Sequence, residues 1–268
     1  MCIRDRAYGG PEIFLKDVLF EQENSLIKQS LSARESQWST NGDGFGVAWY
    51  GHKNTPGVFK DILPAWNDSN LLSLSHQIES KLFFAHVRAS SGTSVARNNC
   101  HPFSVNEWSF MHNGQIGGWA KLRQAVESLI NPQLYQHRQG TTDSEALFLL
   151  ALTLGLNHDP IKAMNLALGK INELMLNHDV HEPLRVSAAC SDGHHIWGFR
   201  YSSDNRSPSL YYGTPTTHSK VHFPGQINTI ASEPIDNEAS HWCAVPESTG
   251  VIWKQGLIQT FDIRPMRS

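Results

Sequence analysis

Residue 2 is a cysteine directly after the initiator methionine. A side chain this small permits aminopeptidase removal of Met1, which leaves a thiol beside a free α-amino group. That amine has an ordinary pKa of about 7.7–8.0, so near neutrality it can take the proton of its own thiol. An amine held next to a nucleophile is one of the recognised routes of activation. Alone, a cysteine at position 2 reads as well as chance, and other polar motifs must decide. These are His86-Val87-Arg88-Ala89-Ser90-Ser91-Gly92, Asn99-Cys100-His101-Pro102-Phe103, Phe110-Met111-His112-Asn113-Gly114 and Thr142-Asp143-Ser144-Glu145. Each has an ordinary local reading. Arg88 suits a strand-end ion pair, Ser90 and Ser91 suit a structural loop, and Asn-Gly is the commonest hairpin-turn dipeptide. Asp143 stands in a first helical turn, where the helix dipole favours any acid.

Two other constellations invite chemistry and fall short of it. The glycines at 42, 44 and 46 lead into a strand and lack the spacing of a phosphate loop, so they read as close backbone packing. The chain has 14 histidines, among them His101, His112, His178, His181, His194 and His195. No HExxH or matched Cys/His set is present, and His194-His195 should point to opposite faces of a strand. No metal site and no cofactor are expected.

The elements that must position these motifs follow from periodicity and punctuation. Gly44–Tyr50 and Leu82–Ala89 read as strands, as does Trp108–His112. Asp68–Ser80 and Gly118–Ile130 read as helices, with Asp68 as N-cap. Thr142-x-x-Glu145 forms a capping box, the Thr hydroxyl accepting from the Glu145 amide while the Glu side chain reaches back. The apolar stretch that follows to Leu156 predicts a buried helix. A second helix starts at Asp159-Pro160, with proline in its favoured first position. Beyond residue 184 the pattern changes to strands: Arg185–Ser191 and His194–Tyr201 around a two-residue Asp192-Gly193 turn, then Ile227–Ser232, Val251–Lys254 and Leu257–Phe261. Hairpin-joined strands on either side of central helices predict an α+β layered fold with antiparallel sheets.

Taken in chain order with Cys2 and Asn41-Gly42-Asp43-Gly44-Phe45-Gly46, these motifs resemble the class II glutamine amidotransferases, an N-terminal-nucleophile hydrolase family. The similarity is greatest to stand-alone members, such as the amidotransferase subunit of the glutathione-degradation complex and the γ-glutamyl hydrolase of ergothioneine biosynthesis. It extends from about residue 12 to Ala231-Ser232-Glu233-Pro234 and the Trp242/Val245-Pro246 stretch. The resemblance implies a four-layer αββα sandwich of two antiparallel sheets between helices. It implies that Cys2 attacks the γ-carboxamide to give a γ-glutamyl thioester, with Asn113 (side-chain amide) and Gly114 (backbone N–H) forming the oxyanion hole. It also implies that Arg88 binds the substrate α-carboxylate and Asp143 the α-ammonium, with Ser90 and Ser91 near substrate. A zwitterionic glutamyl group needs one fixed cation and one fixed anion, which fits that pair. One segment departs from the pattern. Arg4, Asp5 and Arg6 occupy a first strand that should be buried, and unpaired buried charges cost several kcal/mol each. A local irregularity around Ile3-Arg4-Asp5-Arg6 is therefore expected.

Composition supports this class and excludes others. The 268 residues carry 22 Lys+Arg against 25 Asp+Glu, a net charge of −3, with 40% hydrophobic and 18% charged residues. Neither a basic nucleic-acid binder nor an acidic disordered chain fits that balance. The longest apolar run, Ala146–Leu152, is far shorter than the ~20 residues of a membrane span. The first residues lack an apolar leader core, so a cytoplasmic location is expected. The four cysteines show no CxxC spacing and should be unpaired there. Residues 2–268 are expected to form one glutaminase domain. The acceptor would then be water or a site on a separate acceptor or peptidase subunit, and a homo-oligomer stays open. Two alternatives stand beside a γ-glutamyl amide hydrolase. One is a non-catalytic or partner-dependent glutamyl-binding subunit, and the other a metal-dependent hydrolase using the histidines.

Overall fold

The computed structural model describes residues 4–31, 42–89, 94–215 and 228–266; Cys2, Ile3, Asn41, Ser90, Ser91 and Ile227 lie outside the described residues. In chain order the strands are β1 (Arg4–Phe14), β2 (Phe45–Trp49), β3 (Gly57–Asp61), β4 (Glu79–Val87), β5 (Phe103–Val105), β6 (Trp108–Gln115) and β7 (Arg185–Ser191). There follow β8 (Ile196–Ser202), β9 (Tyr211–Gly213), β10 (Thr229–Ala231), β11 (Trp242–Ala244), β12 (Thr249–Lys254) and β13 (Leu257–Asp262). The helices are α1 (Leu15–Leu19), α2 (Leu26–Leu31), α3 (Ser69–Ser75), α4 (Trp119–Ser128), α5 (Pro132–Tyr135), α6 (Asp143–Thr153) and α7 (Pro160–Asn177). One sheet has the strand order β11-β9-β10-β1-β4-β2-β3 and the other β13-β12-β8-β7-β6-β5. Neighbouring strands pair antiparallel throughout both.

Three apolar clusters fill the spaces between four layers. Phe83, Ala85 and Val87 of β4 pack with Leu15, Val18 and Leu71 of α1 and α3 on one outer side. Leu82 and Phe84, the alternate residues of β4, meet Met111, Ala189 and Val251 between the two sheets. Phe110, Val186 and Ala188 then pack under Leu147, Phe148, Leu168 and Ile171 of α6 and α7 on the other outer side. The period-two alternation of side chains makes each central strand serve two interfaces. The result is the α+β helix–sheet–sheet–helix sandwich expected from the sequence.

The expected irregularity at the start of β1 does not occur. Arg4, Asp5 and Arg6 lie in regular strand paired with Val87, His86 and Ala85, and all three are buried. Their charges have partners. Arg4 Nε lies 2.6 Å from Glu233, and Asp5 Oδ1 accepts from His86 Nδ1 at 2.7 Å. Arg6 donates to the Val18 and Asn24 carbonyls at 3.1 and 2.5 Å. Burial pulls the Arg6 guanidinium down to about 9, against the opposing pull of Glu233. Glu233 and the two carbonyls come from segments 12 to 229 residues away, which is why the sequence around residue 4 gives no hint of them.

Local signals at the helix starts hold with two corrections. Asp68, Thr142 and Asp159 cap α3, α6 and α7 by accepting from the amides of Leu71, Glu145 and Lys162. The second half of the capping box is absent. Glu145 instead accepts from the amides of Gln139 and Gly140 at 2.9 and 2.8 Å and from Arg138 at 2.6 Å. The β7–β8 connection is also longer than two residues, because Ser191 pairs directly with Ile196. Asp192 Oδ1 accepts from the amides of His194 and His195 at 2.8 and 2.7 Å. Those two histidines therefore belong to the turn and not to opposite faces of a strand.

Candidate active site

The candidate site lies where β4 and β6 end, on the two sheets that face each other. Arg88 follows β4 directly and shares the parity of Leu82, Phe84 and His86, so it belongs to the face between the sheets. Its backbone is locked to the Gly42–Gly46 run: the Arg88 amide donates to Gly44 O at 2.9 Å and Asp43 N donates to Arg88 O at 3.0 Å. That explains the glycines. A Cβ on Gly44 would come 2.7 Å from both Asp61 O and Cys100 Sγ, and Gly44 has φ +114°. The run is close backbone packing, as its lack of phosphate-loop spacing implies.

Arg88 is 1% exposed, and burial pulls its guanidinium below the ordinary arginine value against the attraction of Cys100 and Asp43. Its Nη2 donates to Ser94 O at 3.3 Å. The same carbonyl accepts from Asn99 Nδ2 at 3.0 Å, and Asn99 Oδ1 accepts from the Thr141 amide at 2.8 Å. Asn99 thus bridges the Arg88 segment to the residues just before Asp143. Sequence reasoning placed Asn99 in a motif without a role; a buried Asn next to a Cys carries no signal of a cross-chain bridge.

Asn113 and Gly114 are not a turn. They lie inside β6, opposite Ser187 and Val186 of β7, so the hairpin reading is excluded. Asn113 is buried and shares the parity of Met111, which faces the other sheet. Gly114 has φ +155°, and a Cβ there would lie 2.0 Å from Arg185 O and 2.5 Å from His112 Nε2. Only glycine fits this position. β6 packs against β1 and β4 across the space between the sheets, which places the Asn113 face opposite the strands that lead to Arg88 and away from Cys2.

Asp143 opens α6 and is 6% exposed. Its Oδ2 accepts from the amide of Ile116, just past the end of β6, at 2.8 Å, and its Oδ1 from the Ser144 amide at 2.8 Å. Two backbone donors thus fix a buried carboxylate at the Gly114 end of β6. His112 reinforces it. His112 Nε2 lies 3.2 Å from the Arg185 carbonyl, which can only accept, so Nε2 carries the proton and Nδ1 accepts from Ser144 Oγ at 2.8 Å. Burial pulls the His112 pKa down, keeping the ring neutral in this role. A second buried pair, His86 Nε2 and His101 Nδ1 at 3.1 Å, runs between the sheets from Asp5. Burial lowers both, His101 well below the ordinary histidine range.

The structure therefore brings Arg88, Asn113, Gly114 and Asp143 to one end of the sandwich. Cys2, Ser90 and Ser91 lie outside the described residues, although β1 starts two residues after Cys2 and pairs Arg4 with Val87. Cys100 is a buried thiol pushed above its ordinary pKa by burial, hence protonated and a poor nucleophile. Among the described residues no group of three His, Cys, Asp or Glu side chains is placed to hold a metal ion. No helix among them is long and apolar enough to cross a membrane.

The two facing antiparallel sheets, with the strand that starts beside Cys2 at the centre of one, define an N-terminal-nucleophile hydrolase type of sandwich. Residues 20–212 match the profile of the class-II glutamine amidotransferases, and the chain belongs to that family. It is 32% identical over 297 aligned positions to the probable glutamine amidotransferase DUG3 of Saccharomyces cerevisiae, spanning 96% of this chain and 82% of that one. The putative glutamine amidotransferase YafJ of Escherichia coli is 32% identical over 111 residues, 40% of each chain. A solved glutamine aminotransferase class-II domain protein from Silicibacter pomeroyi superposes with a TM-score of 0.77 at 35% identity, covering 98% of this chain and all of that one. The glutamine PRPP amidotransferase of B. subtilis shares the fold at 14% identity, TM-score 0.67, with 98% of this chain covering 49% of that protein.

Proposed function

We propose that the chain hydrolyses the γ-amide of glutamine or a γ-glutamyl compound through a thioester on Cys2. The observation that carries this reading is two buried, oppositely charged and separately fixed side chains, Arg88 just past β4 and Asp143 held by the Ile116 amide just past the β6 segment with Asn113 and Gly114. A planar guanidinium donates two parallel bonds to an α-carboxylate, and a carboxylate accepts from an α-ammonium. A γ-glutamyl group held by both charged substituents of its α-carbon presents its γ-carbonyl at a fixed depth.

The α-amine of processed Cys2 takes the thiol proton, and sulfur attacks the γ-carbon. The oxyanion that forms accepts from the Asn113 side-chain amide and the Gly114 N–H, each such donor being worth roughly 3–4 kcal/mol. Collapse breaks the C–N bond, and the α-ammonium returns its proton to the departing ammonia or amine. Water, activated by the same amine, cleaves the thioester to release the γ-carboxylate. The chain is read as one glutaminase domain whose acceptor is water or a site on a separate subunit, acting in the cytoplasm.

The test is turnover of glutamine, glutathione and other γ-glutamyl peptides by wild type and Cys2→Ala. The reading predicts loss of at least about a thousandfold in kcat with Cys2→Ala. Full activity in that variant would sink the thioester route. A glutamyl-binding subunit without turnover would instead bind glutamine and release no ammonia in either form.

A further inference from the structure

One cavity among the described residues is lined by none of Arg88, Asn113 and Asp143. It has a volume of about 640 Å³ and lies between β3 and β5, the edge strands of the two sheets on one side of the sandwich. A cavity of this size suits a small organic molecule. Its wall is mixed, with Phe59, Phe103, Phe148 and Leu149 set among polar side chains such as Asn98, Gln139 and Glu145. Set into that wall is Lys60.

Lys60 pairs with Gly46, which alternates with Val47 and so shares the inter-sheet face of Ala48. Across the sheet this row continues through Gly46, His86 and Asp5, so Lys60 stands at the outer end of a line of polar groups. Its stem runs beside Gly46, where an added Cβ would meet Lys60 Cγ at 3.1 Å. Its ammonium lies 4.9 Å from the centre of the Phe103 ring, joining the two sheet edges. Among the described residues no carboxylate is paired with it. Asp61 is engaged by Arg97 at 2.9 Å and by the Ile62 amide at 2.6 Å. Glu145 is saturated by Arg138 and the Gln139 and Gly140 amides. With those pairs closed, Lys60 is a half-buried cation without a paired carboxylate among the described residues, an arrangement that disfavours the charge until an anion joins it.

We infer that this cavity is a binding site for a small carboxylate with an apolar or aromatic body, its carboxylate on Lys60 and its body against Phe103 and Phe148. The site is distinct from the one read as taking the γ-glutamyl group, since neither Arg88, Asn113 nor Asp143 lines it. The charge around it fits this assignment. Burial takes Lys60 down to about 8, against the weaker pull of Cys100 and Glu145. An incoming carboxylate raises the lysine again, so ligand binding and protonation reinforce each other.

The test uses the whole protein and 3-phenylpropanoate as probe, with neutral 3-phenylpropanamide and inorganic phosphate as comparisons. Calorimetry is expected to show saturable binding of the carboxylate to wild type and to Lys60→Arg. Loss of the charged hydrogen bond in Lys60→Met should weaken binding roughly tenfold or more. In wild type the Lys60 side-chain resonance is expected to titrate with a higher pKa, by about one unit, when the probe is present. That second readout needs no variant and stands even if Lys60→Met folds poorly. Equal binding by Lys60→Met, equal binding of the amide or of phosphate, or a Lys60 titration untouched by the probe would overturn the assignment.

Discussion

Gly114→Ala isolates the geometry that makes Asn113-Gly114 a strand segment and not a turn. Two costs add at this position. The backbone has φ +155°, and holding a residue with a Cβ in such a region costs of order 1–3 kcal/mol. The new Cβ would also sit 2.0 Å from Arg185 O and 2.5 Å from His112 Nε2. The first atom is backbone of the paired strand, so β6 and β7 must part, and overpacking of that kind costs roughly 1–3 kcal/mol. The sum is about 2–6 kcal/mol, which at roughly 2–4 °C per kcal/mol lowers Tm by about 4–24 °C. Gly155→Ala supplies the control. Gly155 has φ +97° but nothing lies within 4 Å of its Cβ position, so it carries the conformational cost without the clash. Thermal unfolding followed by circular dichroism is expected to rank Gly114→Ala well below Gly155→Ala, and both below wild type. Equal losses in the two variants would refute the claim that Gly114 is required by its neighbours across the strand pair.

Four further outcomes follow from the same coordinates. Arg88→Lys should raise KM for glutamine about tenfold or more with a smaller change in kcat, because an ammonium cannot make the two-point contact; an unchanged KM counts against the role. Asp143→Asn keeps one backbone contact and loses the charge, so steady-state kinetics should show a raised KM that is relieved for substrates lacking an α-ammonium. Glu145→Gln leaves either the Gln139 amide or the Arg138 side facing a second donor, and breaking such a buried pair costs about 3–5 kcal/mol, readable as a lowered urea midpoint. His86, His101 and His112 have folded pKa values lowered by burial. The unfolded chain therefore binds more protons below its own histidine pKa of about 6.5. Stability should be complete above that pH and fall by up to about 1.4 kcal/mol per histidine per pH unit as the pH drops below it. A flat urea-midpoint profile from pH 8 to 5 would contradict the buried neutral histidines.

Much of the fold is legible locally because its signals are local. The apolar alternation of Leu82–Val87, the cap at Thr142 and the Asp159-Pro160 start each act within a few residues, and each appears as read. What escaped depends on partners far along the chain. Arg4 and Arg6 suggested a broken strand because Glu233 and the Asn24 carbonyl cannot be assigned to them from residues 3–6. Glu145 was given to the Thr142 amide because the turn formed by Gln139 and Gly140 leaves no periodic trace. Asn113-Gly114 shows the opposite case. The dipeptide alone says turn; its order among His86-Val87-Arg88 and Thr142-Asp143 implied an oxyanion-hole role, and its place inside β6 had no local signal. Lys60 had no signal at all, since a lysine on an edge strand reads as a solvated charge until the sheets close around it.

The central claim rests on Cys2 as the nucleophile, and peptide mapping of protein treated with a glutamine analogue bearing an electrophile at the γ-position tests it most directly. The account predicts a single modification on Cys2 of a chain that has lost Met1, suppressed by excess glutamine, with Cys100 and Cys190 untouched in their buried, protonated state. Modification of another residue with Cys2 left intact, or glutamine-insensitive labelling, would contradict it.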